Sequence, residues 1–260
     1  MDIEFDQILL DAIKLAHEAG KIHLACFRSS NLDVATKEGN DFDVVTKADK
    51  ASEVAVVQGI RQLYPTHAIL TEESGNEGGG VDSPWQWVID PVDGTTNYSA
   101  GLPFFNISIG VRYRGETVVG VVYAAQLNEL FTAVKGEGAF LNGEPIACSA
   151  CSQLSHAVVS TGFPYDKATT ADNNLDNVAR VMPRVRGLRR LGAAALDMCY
   201  VAAGYLDGYW ELNLHDWDVC AASLIASEAG AVVKPFRPNR GISLMVASPG
   251  IETQLSELVK

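Results

Sequence analysis

The stretch WVIDPVDGTTNY, Trp87 to Tyr98, ends an apolar run in two aspartates, Asp90 and Asp93, and follows them with Gly94, Thr95 and Thr96. Pro91 stands between the aspartates and cannot donate to a sheet ladder, so the chain is expected to leave a sheet there with both carboxylates entering one loop. Two ionised carboxylates held close repel each other, and a divalent cation relieves that repulsion at neutral pH. Their oxygens are hard ligands, suited to magnesium, manganese or calcium rather than to a thiolate-type zinc site. Gly94 lets the backbone approach a ligand closely, and free N–H groups at a helix start after it make an anion site. Carboxylates for metal beside amides for phosphate point to metal-assisted phosphoryl chemistry. Calcium storage is the competing idea, but with Gly94 as the loop glycine of an EF-hand, Ile89 falls at the first ligand position and the register fails.

Other acids recur at the ends of expected elements. Asp43 and Asp49 flank VVTKA, Glu72 and Glu73 follow the strand-like HAIL, and Asp218 opens a helix in HDWDVCAASLIASEAG. Each taken alone suits a helix N-cap or a solvated loop charge. Together with the phosphate feature they suggest a site, because active-site loops gather at strand and helix ends in sheet-containing folds.

The elements that must position these residues follow from periodicity. Residues 3 to 27 repeat apolar side chains at helical spacing, and a short strand, a helix starting near Asp49 and a stop at Pro65 come next. SGNEGGGVDSP reads as a flexible glycine-rich loop leading to WQWVID. From Phe104 to Ile146 the pattern is an antiparallel meander, with a hairpin signal at Asn142-Gly143. The remainder alternates strand and helix, including a helix from Asp172 to Val185 and a strand in RGLRRLG. An α+β N-terminal portion, residues 1–148, and an α/β C-terminal portion, residues 149–260, are expected, with the boundary near residues 146 to 155.

Bulk properties narrow the class. The 260 residues are 47% hydrophobic, an ordinary globular share, and no apolar run approaches the roughly 18 residues that span a bilayer. The acidic, amphipathic start does not resemble a secretion signal, so a cytoplasmic protein is expected. A net charge of −12 argues against general nucleic-acid binding, which relies on clustered Lys and Arg. An acidic protein that handles phosphate needs borrowed positive charge, usually as metal ions. Five scattered cysteines do not suit a disulfide framework; Cys148 and Cys151 form a C-x-x-C that would need a following helix for redox work or a second ligand pair for zinc.

The motifs DFDVVTKAD, LTEES, WVIDPVDGTTNY and HDWDVCAASLIASEAG resemble, in order and spacing, the signatures of the lithium-sensitive, magnesium-dependent inositol monophosphatase family, especially its bacterial members. The resemblance covers nearly the whole chain. It implies a layered α/β/α/β/α sandwich and a homodimer. It further implies that Glu72, Asp90 and the carbonyl of Val92 hold one magnesium, that Asp90 bridges to a second completed by Asp93 and Asp218, and that Glu72 faces a weaker third ion through water. Thr95 paired with Asp49 would orient the attacking water, the amides of Gly94 and Thr95 would hold phosphate oxygens, and Asp43 would support the metal ligands. Asp93, Gly192, Ala193, Ala194 and Glu211 would line the substrate. Manganese is an alternative ion, and lithium an expected inhibitor.

This chain departs from the family pattern where Glu228-Ala229-Gly230 runs into Ala231 and where Val92 replaces a frequent isoleucine; neither change touches a ligand atom. Glu73 is expected to be a helper or a solvated charge, and His215 to serve a loop role. Arg180, Arg184, Arg186, Arg189 and Arg190 cluster in an acidic chain, as a second phosphate pocket, a subunit or macromolecular contact, or a solvated face. Inositol 1-phosphate leads the expected substrates; fructose 1,6-bisphosphate, histidinol phosphate, a 3′-phosphoadenosine nucleotide and NADP keep the chemistry and change the alcohol. An interaction protein of transcription complexes, as bacterial relatives of this kind suggest, is the alternative class.

Overall fold

The computed structural model describes residues 5–37, 39–76, 78 and 83–260. Helix α1 (Phe5–Cys26) buries Ile8, Ala12, Leu15, Ala16 and Ala19, the three-to-four-residue spacing of one face. There follow β1 (Ala35–Lys37), β2 (Asn40–Val45), α2 (Lys47–Leu63), β3 (Ala68–Thr71), β4 (Gly75–Asn76), β5 (Trp85–Asp93) and the short α3 (Thr95–Ser99). The meander comprises β6 (Asn106–Tyr113), β7 (Glu116–Ala124), β8 (Glu129–Val134), β9 (Ala139–Leu141) and β10 (Glu144–Ile146). Strands β3 to β10 make an eight-stranded sheet in the order β10-β9-β8-β7-β6-β5-β3-β4, while β1 and β2 pair separately.

The rest of the chain supplies β11 (Val158–Thr161), α4 (Leu175–Val181), β12 (Gly187–Arg189), α5 (Ala194–Ala202), β13 (Gly208–Leu214), α6 (Asp216–Glu228), β14 (Val232–Pro235), β15 (Ile242–Ala247) and α7 (Glu252–Ser256). Its five strands order as β12-β11-β13-β15-β14. Helices α1 and α2 cover the outer face of the large sheet, with Leu15, Val56 and Ile60 in one cluster with Trp87, Ile109 and Val119. Helices α5 and α6 lie between the sheets, where Leu196 and Ile225 share a core with Val122 and Phe131 from one sheet and Tyr209 and Val246 from the other. Val181 of α4 and Leu255 of α7 pack on Val159, Trp210 and Met245 at the far face. The layers are therefore α/β/α/β/α. Two strand glycines set the inner spacing: a Cβ on Gly110 would fall 2.4 Å from Cys220 Sγ, and one on Gly120 would fall 2.6 Å from the Ala221 carbonyl oxygen. Their absence of side chain lets α6 lie close on the sheet. Among the described residues no helix is long and apolar enough to cross a membrane.

Several expected boundaries move for physical reasons. Pro91 does not take the chain off the sheet: β5 runs on to Asp93 through a register shift, with Asp90 opposite Ser108 and Asp93 opposite Asn106. The irregularity is where a residue without an N–H is tolerated. The helix expected over 172–185 is confined to Leu175–Val181 plus a tight turn at Met182–Arg184, because Pro183 cannot continue the hydrogen-bond ladder. Helix α2 starts at Lys47, near Asp49 as expected, with Thr46 as its cap. Gly75 and Asn76, expected in a loop, pair with Thr71 and Leu70; Glu77 and residues 79–82 of that loop lie outside the described residues.

Candidate active site

The local chemistry begins where β5 ends. Gly94 has φ 90°, and a Cβ there would fall 2.9 Å from the Phe104 carbonyl oxygen, so both conformation and space call for glycine. The turn brings Thr95 back toward the strand, with Oγ 2.9 Å from Asp49 Oδ1 and 2.9 Å from the Val92 carbonyl oxygen. One hydroxyl proton serves only one of these acceptors at a time. Asp49 comes from the first turn of α2, where its Oδ2 accepts the Thr46 N–H at 2.8 Å and the Thr46 hydroxyl at 2.6 Å. This reciprocal cap fixes the carboxylate and leaves Oδ1 for Thr95. Burial raises the Asp49 pKa, opposed by the hydrogen bonds from Thr46 and Thr95. Behind the turn, His23 Nε2 lies 2.9 Å from the Pro91 carbonyl oxygen, and the Tyr98 hydroxyl donates to the His23 carbonyl at 2.7 Å. Burial lowers the His23 pKa to about 4, so the ring is neutral and supports β5 as an N–H donor.

A cavity of about 500 Å³ opens in front of these groups, and Asp43, Glu72, Glu73, Asp90, Val92, Asp93, Gly94, Thr95 and Asp218 all line it. Asp90 and Asp93 are only 2% and 6% exposed. Burial, followed by the charges of Glu72, Asp93 and Asp218, holds Asp90 well above the ordinary carboxylate range. Burial also raises Glu72 to about 7 against the pull of Lys37, and raises Asp93 to about 6 against its hydrogen bonds. Among the described residues the lysine facing this cluster is Lys37, whose Nζ lies 2.7 Å from Glu72 and 2.6 Å from Glu73. Burial disfavours its charge, yet the two glutamates hold its pKa above that of a free lysine.

The oxygens are hard donors, and the crowding of raised carboxylates around one lysine fits a site for divalent cations. Their present partners are amides as well as Lys37. Asp90 Oδ1 accepts the Val92 N–H at 3.0 Å, and Asp218 Oδ2 accepts the His215 N–H at 2.6 Å. Asp93 accepts the Ala194 and Ala195 N–H groups at 3.0 and 2.8 Å and the Asn106 amide at 2.7 Å. Accordingly, among the described residues no three His, Cys, Asp or Glu side chains already converge as a ligand set. A cation entering the cavity would compete with Lys37 for Glu72 and with these amides for Asp93.

A smaller adjoining cavity of about 70 Å³ shares Asp93, Gly94, Thr95 and Asp218 and adds Arg190, Gly192, Ala194 and Glu211. Glu211 accepts the Tyr209 hydroxyl at 2.6 Å; burial raises its pKa to about 7, opposed by Tyr209 and Arg190. Ala193 differs from its neighbours. Its side chain is buried in the core between the sheets, packed beside Gly94, and its methyl does not line the cavity.

Sequence reasoning missed Lys37, Tyr165 and Trp217, all of which line the large cavity, and the supports His23 and Asn106. Lys37 reaches its partners across 35 residues of chain, a pairing that no local spacing encodes. His215 lines the cavity and caps α6, keeping the expected loop role, while Glu73 pairs with Lys37. Cys148 and Cys151 are free thiols in irregular chain with no α-helix starting behind them, which removes the structural context for a redox motif.

Two sheets enclosing a middle helical layer, with an acid-lined cavity at the end of a central strand, define a sugar-phosphatase type of architecture. Comparison makes the assignment specific. The chain belongs to the inositol monophosphatase family, whose model matches residues 5–258. It is 43% identical over 251 residues to the Nus factor SuhB of Pasteurella multocida, covering 94% of this chain and 92% of that protein. The solved extragenic suppressor protein suhB of Bartonella henselae superposes with a TM-score of 0.89 at 34% identity, covering 98% of each chain. The inositol monophosphatase of Anabaena gives 0.86 at 37% identity, covering 98% of this chain and 96% of that one.

Proposed function

We propose that the protein is a magnesium-dependent phosphomonoesterase, with inositol 1-phosphate as its leading substrate. The observation that carries this reading is the set Glu72, Asp90, Asp93 and Asp218 facing one cavity beside the Thr95–Asp49 pair. Glu72, Asp90 and the Val92 carbonyl would hold one ion, and Asp90, Asp93 and Asp218 a second; Glu72 would face a third, and Asp43 would support the set. Bound cations would lower the pKa of water and neutralise charge developing on the phosphate and the leaving oxygen.

The chain's own groups do the rest. With its proton directed to Asp49 Oδ1, Thr95 Oγ presents lone pairs that orient the attacking water, and Asp49 is the group to which a proton passes through the hydroxyl. The amides of Gly94 and Thr95 hold phosphate oxygens as negative charge spreads over them. The wall formed by Asp93, Gly192, Ala194 and Glu211, with the Ala193 backbone between them, receives the alcohol through hydroxyl hydrogen bonds. Inorganic phosphate release from inositol 1-phosphate, fructose 1,6-bisphosphate, histidinol phosphate, a 3′-phosphoadenosine nucleotide and NADP tests this reading. Release that requires magnesium and falls with lithium is expected; no release from any of these esters would overturn it.

One observation favours a second reading. Arg184, Arg186 and Arg189 are exposed and make no ion pair among the described residues, and the relative from Pasteurella is named a Nus factor. A contact of this face with an acidic transcription partner predicts that Arg184→Glu together with Arg189→Glu abolishes co-purification with transcription factors; undiminished co-purification would exclude that face.

A further inference from the structure

The large and small cavities meet at six residues, Asp93, Gly94, Thr95, Asp218, His215 and Tyr165, each of which lines both. The first four already serve cation and phosphate in the proposed reaction, and His215 caps α6 through its N–H. Tyr165 is left without a role. An ester with its phosphate at Gly94 and Thr95 and its alcohol against Glu211 has to cross this junction, so its ester bond passes Tyr165.

The loop after β11 holds Tyr165 in place. Pro164, with its fixed φ, precedes it, and the Lys167 N–H donates to the Pro164 carbonyl at 3.1 Å while the Thr169 N–H donates to the Asp166 carbonyl at 2.9 Å. Asp166 pairs with Arg240, and Lys167 Nζ stands 4.3 Å from the centre of the Phe42 ring on β2. The two residues after Tyr165 thus fasten the loop to the C-terminal portion and to the β1–β2 hairpin. The tyrosine side chain takes no part in this fastening: its hydroxyl makes no hydrogen bond among the described residues, and the residue is 44% exposed. A phenol donor placed by its loop and left unpaired where two cavities join is available to a ligand.

The hydroxyl belongs to the side of the large cavity. Although the ring is partly exposed, the hydroxyl end is enclosed: burial, and next the charges of Glu72, Asp218, Asp43 and Asp90, raise its pKa, and all four acids line the large cavity. A phenol keeps its proton at neutral pH in any case, so the group is a donor there. With cations on the carboxylate lone pairs, the acceptor left to it is a phosphate oxygen. We propose that Tyr165 contacts the substrate, its hydroxyl donating a hydrogen bond to a phosphate oxygen of the bound ester as a third donor beside the Gly94 and Thr95 amides. This rests on the phosphatase reading and deepens it. The amides come from the turn after β5 and Tyr165 from the loop after β11, so both portions of the chain grip the phosphate, and the tyrosine ring packs beside the ester bond.

The test compares wild type, Tyr165→Phe and Tyr165→Ala with magnesium present. Two quantities are read: the dissociation constant of inorganic phosphate by calorimetry, and kcat/KM for whichever of inositol 1-phosphate and the other candidate esters wild type hydrolyses fastest. Tyr165→Phe keeps the ring and removes only the hydroxyl; phosphate is expected to bind about tenfold more weakly and kcat/KM to fall about tenfold or more, the scale of one hydrogen bond to a charged group. Tyr165→Ala should weaken phosphate binding no further but lower kcat/KM again, because the ring meets the ester and not free phosphate. If kcat/KM falls in Tyr165→Phe while phosphate binds as in wild type, the hydroxyl serves the alcohol and the proposal is overturned. If wild type hydrolyses an ester and neither quantity moves in Tyr165→Phe, the proposal is overturned while the phosphatase reading stands. A wild type that releases phosphate from none of the esters overturns both.

Discussion

Acidic side chains gather at two places in this molecule, and they are treated in opposite ways. Asp166, Asp172 and Asp176, on the chain around α4, face Arg237, Arg240 and Arg180, so each carboxylate has a guanidinium of its own. Asp166 and Asp176 have lowered pKa values, Asp166 chiefly through Arg240, and Asp176 through its arginines and a backbone amide against the effect of partial burial. At the end of β5 the balance reverses. Glu72, Asp90, Asp93 and Asp218 face a cavity in which Lys37 reaches only Glu72 and its neighbour Glu73, and burial pushes Glu72, Asp90 and Asp93 upward. Acids with guanidiniums fasten loops; buried acids without them hold back a charge that a cation can use. The second arrangement costs stability in the metal-free protein and is expected where function demands it.

The largest effect should come from removing the crowded acids. Asp93→Asn or Asp218→Asn is expected to lower kcat/KM for inositol 1-phosphate at limiting magnesium by at least about a hundredfold, whereas Asp172→Asn should change it by less than about threefold. Thr95→Ala comes next: kcat should fall on the order of a hundredfold with a smaller change in KM, the pattern of a lost proton-handling group. Equal losses in Thr95→Ala and Asp172→Asn would erase the contrast.

Stability at the β5 end should respond to pH in two opposite directions. His23 has a folded pKa of about 4, below its ordinary 6.5, so its contribution is complete above about pH 6.5 and is lost as the pH falls toward 4. Roughly 3 kcal/mol is at stake, and His23→Gln should flatten that part of a urea-denaturation profile. The crowded acids act in the other direction. Glu72 and Asp93 are raised to about 7 and 6, so the metal-free fold is penalised at pH 7 and relieved as the pH drops through those values. Asp90→Asn should therefore raise Tm without metal, by about 2–4 °C for each kcal/mol of repulsion removed, and should lose the further rise that magnesium gives wild type. The smallest change belongs to the fastened acids: Asp176→Ala should cost about 1 kcal/mol or less, because its ion pairs are substantially exposed.

Much of this contrast was legible in the sequence, for reasons that differ by residue. The apolar run before Asp90, the glycine after Asp93 and the helix after Asp218 are local signals, and they bring Asp90, Asp93, Gly94, Thr95 and Asp218 into one cavity. The fold followed from the change of period between α1, the meander and the alternating C-terminal stretch. Pro91 misled because a missing N–H marks either a strand's end or an irregularity within it, and only the register against β6 distinguishes the two. Lys37 was illegible because its partners are set by how β1 and β2 lie against the end of β3, and Ala193 because neighbouring residues in one turn face opposite ways. Arg190 was visible within an arginine cluster, but its separation from Arg180 depends on which guanidinium meets an aspartate.

The most direct measurement is a calorimetric magnesium titration of wild type, Asp90→Asn, Asp218→Asn and Asp172→Asn under identical conditions. Saturable binding in wild type and Asp172→Asn, with binding weakened at least about tenfold in Asp90→Asn and Asp218→Asn, is the expected result. Equal magnesium binding by all four proteins would contradict the assignment of the β5 cavity as the metal site.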